Sequence, residues 1–165
     1  ILIAIYSGWR PQELAILKLS DIDLEAGTMK GGLKTDAGKN RIVPIHSLIK
    51  PLIEKRIDEA TSLHSKYLLN GQQGITMTYD KYRKRFDKAM KALNMKHRPH
   101  ETRHTFITNA KACNMDEYVL KLIVGHAIED ITEKTYTHRT IEQLKSEMEK
   151  LPKTLKGSDK IESLK

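Results

Sequence analysis

Cysteine is almost absent from this 165-residue chain, in which Cys113 is the single example. One cysteine excludes an intramolecular disulfide and a four-cysteine zinc site, and it fits the reducing environment of a cytoplasm. Long hydrophobic runs are also missing. The apolar run at residues 1–5 is too short to span a bilayer or to serve as a signal peptide, so we expect no membrane association.

An initiator methionine is missing as well, since the chain begins with Ile1. Its first five residues are apolar, as in the interior of a helix. We therefore expect the protein to continue upstream of this sequence. The length suits one domain with its own hydrophobic core. We assign that domain to residues 1–151 and expect a flexible polar tail over residues 152–165, where charged and polar side chains dominate.

Positive charge is what the chain has in excess, with a formal net charge of +8 and a pI near 9.5. A basic surface attracts polyanions, and nucleic acid is the commonest polyanion inside a cell. A solvated, lysine-rich surface without a partner explains the same charge, so composition alone leaves both explanations open.

The spacing of apolar residues predicts a mainly α-helical domain with one small antiparallel β-sheet, an α+β fold. Short strand-like pieces and turn signals between residues 21 and 45 predict a β-hairpin. Asn114 and Glu117 form a capping-box pattern for a helix that stops at Gly125. Helical patterns cover residues 1–6, 11–20, 79–93, 99–112 and 140–151.

The predicted helix at residues 79–93 carries apolar side chains, from Tyr82 to Leu93, on one face and basic side chains on the other. A row of cations on one helix face suits contact with phosphates, so we expect this face to bind DNA. The basic side chains are Lys81, Arg83, Lys84, Arg85, Lys88 and Lys91.

Several polar side chains are candidates for chemistry on a phosphate. Arg10 is placed at a helix start, where free N–H groups favour an anion, and a surface pair with Glu13 is the alternative explanation. His100 and Arg103 are three residues apart and therefore share a helix face. His126 follows a helix end at Gly125. Tyr136 comes ten residues later, where ordinary half-buried packing is the alternative.

Taken in order, these residues resemble the tyrosine recombinases, also called the phage integrase family, and especially the integrases of phages and conjugative transposons. The resemblance covers residues 7–151. Its most specific parts are Gly8-Trp9-Arg10-Pro11-Gln12-Glu13-Leu14, the segment from His100 to Phe106, Val124-Gly125-His126, and Tyr136-Thr137-His138.

The resemblance implies a role for each matching position. Tyr136 resembles the nucleophile that forms a covalent 3′-phosphotyrosine link to DNA. Arg10 and Arg103 resemble the two arginines that clamp the phosphate, and His100 and His126 resemble the two active-site histidines.

Two further positions match less conspicuous members of the site. Lys34 resembles the lysine that protonates the leaving oxygen, although Lys30 and Lys39 compete for that match. Glu13 resembles an acidic residue that orients its neighbours. The resemblance further implies site-specific recombination or integration without a cofactor or metal, on double-stranded DNA, by a homo-oligomer that forms a tetrameric synapse.

Three other functions use part of the same pattern. His100-Glu101-Thr102-Arg103-His104 satisfies the H-E-x-x-H pattern of zinc metalloproteases, with Glu129 or Glu133 as a conceivable third ligand. That function leaves the basic charge unexplained. A non-catalytic DNA-binding module explains the charge but leaves the arginines, histidines and tyrosine without a role. A type IB topoisomerase uses the same tyrosine chemistry.

The last predicted helix carries an apolar stripe of Ile141, Leu144, Met148 and Leu151 on an otherwise charged surface. Such a stripe is stable only where another surface covers it. The sequence allows two coverings: the stripe docks onto its own domain, or it docks onto a neighbouring protomer and couples Tyr136 to assembly.

Overall fold

A computed structural model describes residues 1–33, 38–71, 74–128 and 139–153 of the chain. Within these ranges the chain forms seven α-helices and a three-stranded sheet, which confirms the predicted mainly α fold with a small sheet. The elements are α1 Leu2–Ile5, α2 Pro11–Ala15, β1 Ile22–Asp23, β2 Thr28–Gly31, β3 Arg41–Pro44, α3 Lys50–Ser62, α4 Tyr79–Ala92, α5 Glu101–Ala112, α6 Glu117–Val124 and α7 Ile141–Met148.

The sheet is antiparallel, in the order β1-β2-β3, and contains the predicted hairpin as β2 and β3. Met29 on β2 pairs with Val43 on β3, and both side chains are completely buried. Because side chains alternate between the two faces of a strand, Arg41 lies on the same face as Val43. That register turns an arginine toward the interior of the domain.

Helix α2 is shorter than the predicted helix at residues 11–20, since it ends at Ala15. Its continuation leaves the helical path to pair with a distant segment. The Leu17 carbonyl accepts a hydrogen bond from the Leu68 N–H at 2.9 Å, and the Leu19 N–H donates to the Lys66 carbonyl at 2.9 Å. These long-range backbone bonds replace the helical ones, which local spacing of leucines does not reveal.

The start of α6 also differs from the prediction. Asp116 is its N-cap residue, with a carboxylate that accepts a hydrogen bond from the Val119 N–H, whereas Asn114 adopts a left-handed backbone with φ +54°. The predicted capping box at Asn114 is therefore wrong by two residues. The predicted end is confirmed, because Gly125 closes the helix in the left-handed conformation with φ +68°.

Helix α7 docks onto its own domain in this single chain, which is the first of the two coverings that the sequence allows. Leu144, Met148 and Leu151 are buried in the main core. Polar contacts add to this packing, since Glu149 accepts hydrogen bonds from the backbone N–H and the hydroxyl of Ser47. Within the described residues, no helix is long and apolar enough to cross a membrane.

Candidate active site

Arg10 is the first charged residue of the candidate site, and the turn before it fixes its position. Gly8 adopts φ +63°, and a Cβ on this residue would lie 2.6 Å from the ring of Phe106 on α5. Only glycine therefore allows the turn to pack this closely against α5. Arg10 caps α2, and its Nη1 pairs with Glu13 Oε1 at 3.2 Å while 18% of its side chain stays exposed.

Arg103 approaches the same turn from α5. Arg103 is only 3% exposed, and its Nη1 donates a hydrogen bond to the Gly8 carbonyl at 2.9 Å. Among the residues that the structure describes, its buried Nη2 has no hydrogen-bond partner. Burial, together with the charges of Arg10 and Arg41, lowers the pKa of Arg103 to about 10. The Arg103 guanidinium thus lies among like charges, and its Nη2 can still donate hydrogen bonds to a ligand.

Arg41 is a third arginine of this cluster, and the functional analysis of the sequence missed it. Its Nη2 lies 2.6 Å from Glu13 Oε2, and its Nη1 lies 3.2 Å from Glu13 Oε1. The guanidinium also lies 4.2 Å from the ring centroid of Trp9. The alternation of the strand Arg41-Ile42-Val43 was the available signal, because it puts an arginine on a core-facing position.

Glu13 is the acidic centre of the three arginines. Its carboxylate is almost completely buried and binds both Arg10 and Arg41. Burial raises the pKa of this carboxyl, but the hydrogen bond and charge of Arg41, together with the hydrogen bonds from the Leu33 and Arg10 N–H groups, outweigh burial, so the pKa lies below its ordinary value. One carboxylate faces three guanidinium groups, which leaves positive charge to bind an anion.

His126 lies beside this cluster, directly after the left-handed Gly125. Partial burial and the charges of Arg103 and Arg10 lower the pKa of its imidazole. The residue before it contacts the same cluster, since a Cβ on Gly125 would lie 3.1 Å from the Arg41 Cδ. Arg10 and Arg103 thus act electrostatically on His126.

His100 lies at the start of α5, one turn before Arg103, and its side chain is exposed. Its ring contacts that of His104 edge to face, with centroids 5.1 Å apart. Glu101 is engaged elsewhere, because it pairs with His97 Nδ1 at 2.7 Å. In the described part of the chain, no group of three or more potential metal ligands forms around this H-E-x-x-H segment.

Some predicted residues lie outside the described ranges. These are Lys34, Tyr136, the alternative zinc ligands Glu129 and Glu133, and most of the expected tail, residues 154–165.

The predicted basic face forms a continuous exposed surface of α4. All six of its cationic side chains, from Lys81 to Lys91, are exposed, while Tyr82, Phe86 and Met90 bury the opposite side. Leu93 departs from the prediction, because the helix ends at Ala92 and this leucine is 56% exposed.

Comparison with known proteins identifies the family of this chain. The model of the phage integrase family matches residues 1–143. The tyrosine recombinase XerC of Thermodesulfovibrio yellowstonii is 30% identical over 84% of this chain and 48% of its own length. The tyrosine recombinase XerA of Pyrococcus furiosus is 29% identical over 91% of this chain and 52% of its own length. The chain thus spans about half the length of these relatives.

Two solved structures share the fold. A crystal structure of XerA recombinase superposes with a TM-score of 0.67 and 25% identity, over 87% of this chain and 52% of that one. The Tn1549 transposon integrase in complex with circular intermediate DNA superposes with a TM-score of 0.66 and 24% identity, over 89% of this chain and 55% of that one. The family match over most of the sequence, supported by a shared fold, shows that the chain belongs to the phage integrase family.

Proposed function

We propose that this chain cuts and rejoins double-stranded DNA in site-specific recombination, with Tyr136 as the nucleophile. The observation that carries the proposal is the cluster of Arg10, Arg41 and Arg103 around one carboxylate, Glu13. Such a cluster has unneutralised positive charge held in fixed positions. A phosphodiester under attack develops negative charge on its non-bridging oxygens, which positioned cations stabilise most strongly.

The proposed step exchanges one phosphodiester bond for another. The Tyr136 oxygen attacks phosphorus and forms a 3′-phosphotyrosine, while the bond to the 5′-oxygen breaks and its electron pair stays on that oxygen. His100 accepts the phenolic proton, and Lys34 gives a proton to the leaving oxygen. Arg10 and Arg103 bind the non-bridging oxygens. The ester conserves bond energy, so a 5′-hydroxyl can reverse the reaction without an external energy source.

The first test is covalent trapping of the enzyme on DNA. The probe is a set of nicked duplexes with a randomised stretch around the nick, incubated with the chain in excess chelator. The wild-type chain forms an adduct that survives denaturing gels. Tyr136→Phe forms none yet binds DNA normally, because only the attacking hydroxyl is lost. Tyr67→Phe is the matched control, since it removes a phenolic hydroxyl from a tyrosine that pairs with Lys18 through its backbone.

Each outcome of this test points to one function. An adduct with Tyr136→Phe would assign the nucleophile elsewhere. DNA binding by the wild-type chain without any adduct would favour the non-catalytic binding module. Loss of the adduct in chelator, with recovery on added zinc, would overturn the metal-free mechanism. Transfer of the trapped strand to a second duplex marks a recombinase, whereas relaxation of one supercoiled duplex alone marks a topoisomerase-like enzyme.

Partners follow from the same chemistry. Strand exchange between two duplexes requires cuts in four strands, so we propose that four copies assemble on DNA in the full-length protein. The catalytic domain in this proposal is residues 1–151, with residues 152–165 as a flexible tail. A bacterial or phage-encoded enzyme of this kind acts on chromosomal DNA in the cytoplasm.

A further inference from the structure

The loop between α4 and α5 is a basic surface beyond the end of the basic face of α4. Lys96, His97 and Arg98 follow one another in this loop, and all three are exposed. Within the described ranges, no carboxylate forms an ion pair with Lys96 or with Lys91 in the last turn of α4. The lysine charges at this junction are therefore not neutralised by a partner from the domain.

The end of α4 fixes the path on which this loop begins. Asn94 adopts a left-handed backbone with φ +51°. The Asn94 N–H donates a hydrogen bond to the Lys91 carbonyl at 3.2 Å, and the Met95 N–H donates to the Met90 carbonyl at 2.9 Å. This pair of bonds is a Schellman motif, which satisfies the last carbonyls of a helix and reverses the chain. The loop consequently starts beside Lys91.

Glu101 fixes the other end of the loop from the first turn of α5. Its Oε2 lies 2.7 Å from His97 Nδ1, and its Oε1 accepts a hydrogen bond from the Arg98 N–H at 3.2 Å. These two hydrogen bonds, first that of His97, lower the pKa of the Glu101 carboxyl. Because an ionised carboxylate only accepts hydrogen bonds, Nδ1 of His97 carries a proton, and its Nε2 is left to bind another group.

The loop and the last turn of α4 together form a shallow, open hollow of about 350 Å³. Its lining residues are Asp87, Met90, Lys91, Asn94, Met95, Lys96 and His97. Asp87 is the only acid among these seven described residues, so the two lysines leave an excess of positive charge. Two ammonium groups and an imidazole suit an anion with several acceptor oxygens. The phosphodiester backbone of DNA is such an anion.

This hollow adjoins the candidate active site. His97 precedes His100 by three residues, so their Cα atoms are at most about 11 Å apart. That distance corresponds to roughly three base-pair steps, since a duplex rises about 3.4 Å per pair. One duplex can therefore reach the hollow and the candidate active site at the same time.

We propose that Lys91, Lys96 and His97 bind one backbone phosphate of the DNA, a few nucleotides from the cleaved phosphate, and that Glu101 is a positioning residue that orients His97 toward it. This inference rests on the proposed function. A phosphate contact of this kind sets the register of the duplex over the active site and does not read its sequence. It also gives the glutamate of the H-E-x-x-H segment a role without zinc.

The test measures DNA binding by the Tyr136→Phe chain, the parent here, which lacks the proposed nucleophile. The probe is a duplex selected from a random pool by binding to this parent, then synthesised with one neutral methylphosphonate at each backbone position in turn. Each methylphosphonate at a contacted phosphate should weaken binding by about two- to fivefold, the range of an exposed ion pair.

At one phosphate near the cleavage position, this loss should be absent from the Lys96→Gln variant, because the variant has already lost the same contact. Losses at all other phosphates should remain. Lys111→Gln is the matched control, since Lys111 is an exposed cation in the last turn of α5. It should keep the loss at every contacted phosphate.

Glu101→Met provides a second readout, with a sign opposite to that of general electrostatics. Removing a negative charge near a polyanion strengthens binding where charge alone matters. Loss of the bond to His97 should instead weaken binding and abolish the loss at the same phosphate. Glu117→Met is the matched control, because Glu117 is likewise the first residue of its helix and is exposed. It should bind at least as tightly as the parent.

Two results would overturn the inference. A Lys96→Gln variant that keeps the loss at every phosphate would exclude the phosphate site, and Glu101→Met binding as tightly as the parent, or more tightly, would exclude the positioning role. Where Glu101→Met does not fold, His97→Leu decides through the same phosphate, because it removes the same bond from an exposed side chain. A parent that selects no duplex would count against the proposed function itself, which covalent trapping of the wild-type chain tests separately.

Discussion

The buried arginines and the exposed basic face of α4 are two concentrations of positive charge with opposite physical character. Arg41 and Arg103 are nearly inaccessible; Arg41 donates hydrogen bonds to Glu13 and to backbone carbonyls, and Arg103 donates one to the Gly8 carbonyl. The lysines of α4 are exposed, and only Arg85 on that face has a described hydrogen bond, to the Asn70 carbonyl. One group of charges is fixed in place, whereas the other is solvated and can move.

Fixed and mobile charges do different work on the same polyanion. A preorganised cation in a partly dry site stabilises charge that develops during reaction, without reorganising at that moment. Exposed lysines release counterions when they meet phosphates, which strengthens binding without regard to the chemical step. The contrast predicts that the arginines control the rate of cleavage and that the α4 face controls affinity and its salt dependence.

The largest expected effect that sharpens this contrast comes from Arg103→Ala. Removing a fixed cation beside the reacting phosphate should lower the single-turnover cleavage rate by about 10²–10³-fold. DNA affinity, measured by fluorescence anisotropy, should change little, because many other contacts supply it. Lys111→Gln is the control on the same helix, since Lys111 is an exposed cation in the last turn of α5. A near-normal cleavage rate in Arg103→Ala would contradict the phosphate clamp.

A smaller, complementary effect is expected for the double variant Lys84→Gln/Lys88→Gln on α4. It should weaken DNA binding and reduce the slope of log affinity against log salt by about one for each lysine that contacts a phosphate. The cleavage rate at saturating DNA should stay normal. The control is Lys50→Gln/Lys55→Gln on α3, which removes the same charge from two other exposed positions. Equal salt slopes in the two double variants would show that the α4 face contributes no more to DNA binding than other exposed lysines.

The sequence predicted the parts of the fold that depend on local patterns. The hairpin, the basic helix and the end of α6 at Gly125 each follow from alternation, helical spacing or a glycine cap, and each is confirmed. The end of α2 was wrong because Leu17 and Leu19 bond to residues 66–68, and no local pattern encodes a partner some fifty positions away. The sequence likewise could not predict which surface covers the apolar stripe of α7, because that depends on the shape of a surface formed by distant residues.

The sequence points to candidate site residues where they stand in recognisable motifs, as Arg10, Arg103 and His126 do. Arg41 was missed because it lies in a strand with an ordinary sequence, and its importance arises from contacts with Glu13, Gly38 and Ile123 across three elements. A buried arginine on a core-facing strand position is the general signal, because such a charge requires a partner inside the protein.

The smallest expected effect concerns the electrostatic coupling between His126 and the arginines. Burial and the two nearby cations disfavour the imidazolium, so its pKa in the free protein should lie below the ordinary value of about 6.5. Arg10→Met removes one of those cations and should raise the pKa, while the charge-matched control Arg56→Met should leave it unchanged. Bound DNA should raise it too, because a phosphate favours the charged ring. The measurement is an NMR titration of the histidine Cε1–H signals, with His126 assigned through His126→Asn. A pKa of His126 that changes with neither Arg10→Met nor bound DNA would separate His126 electrostatically from the arginine cluster.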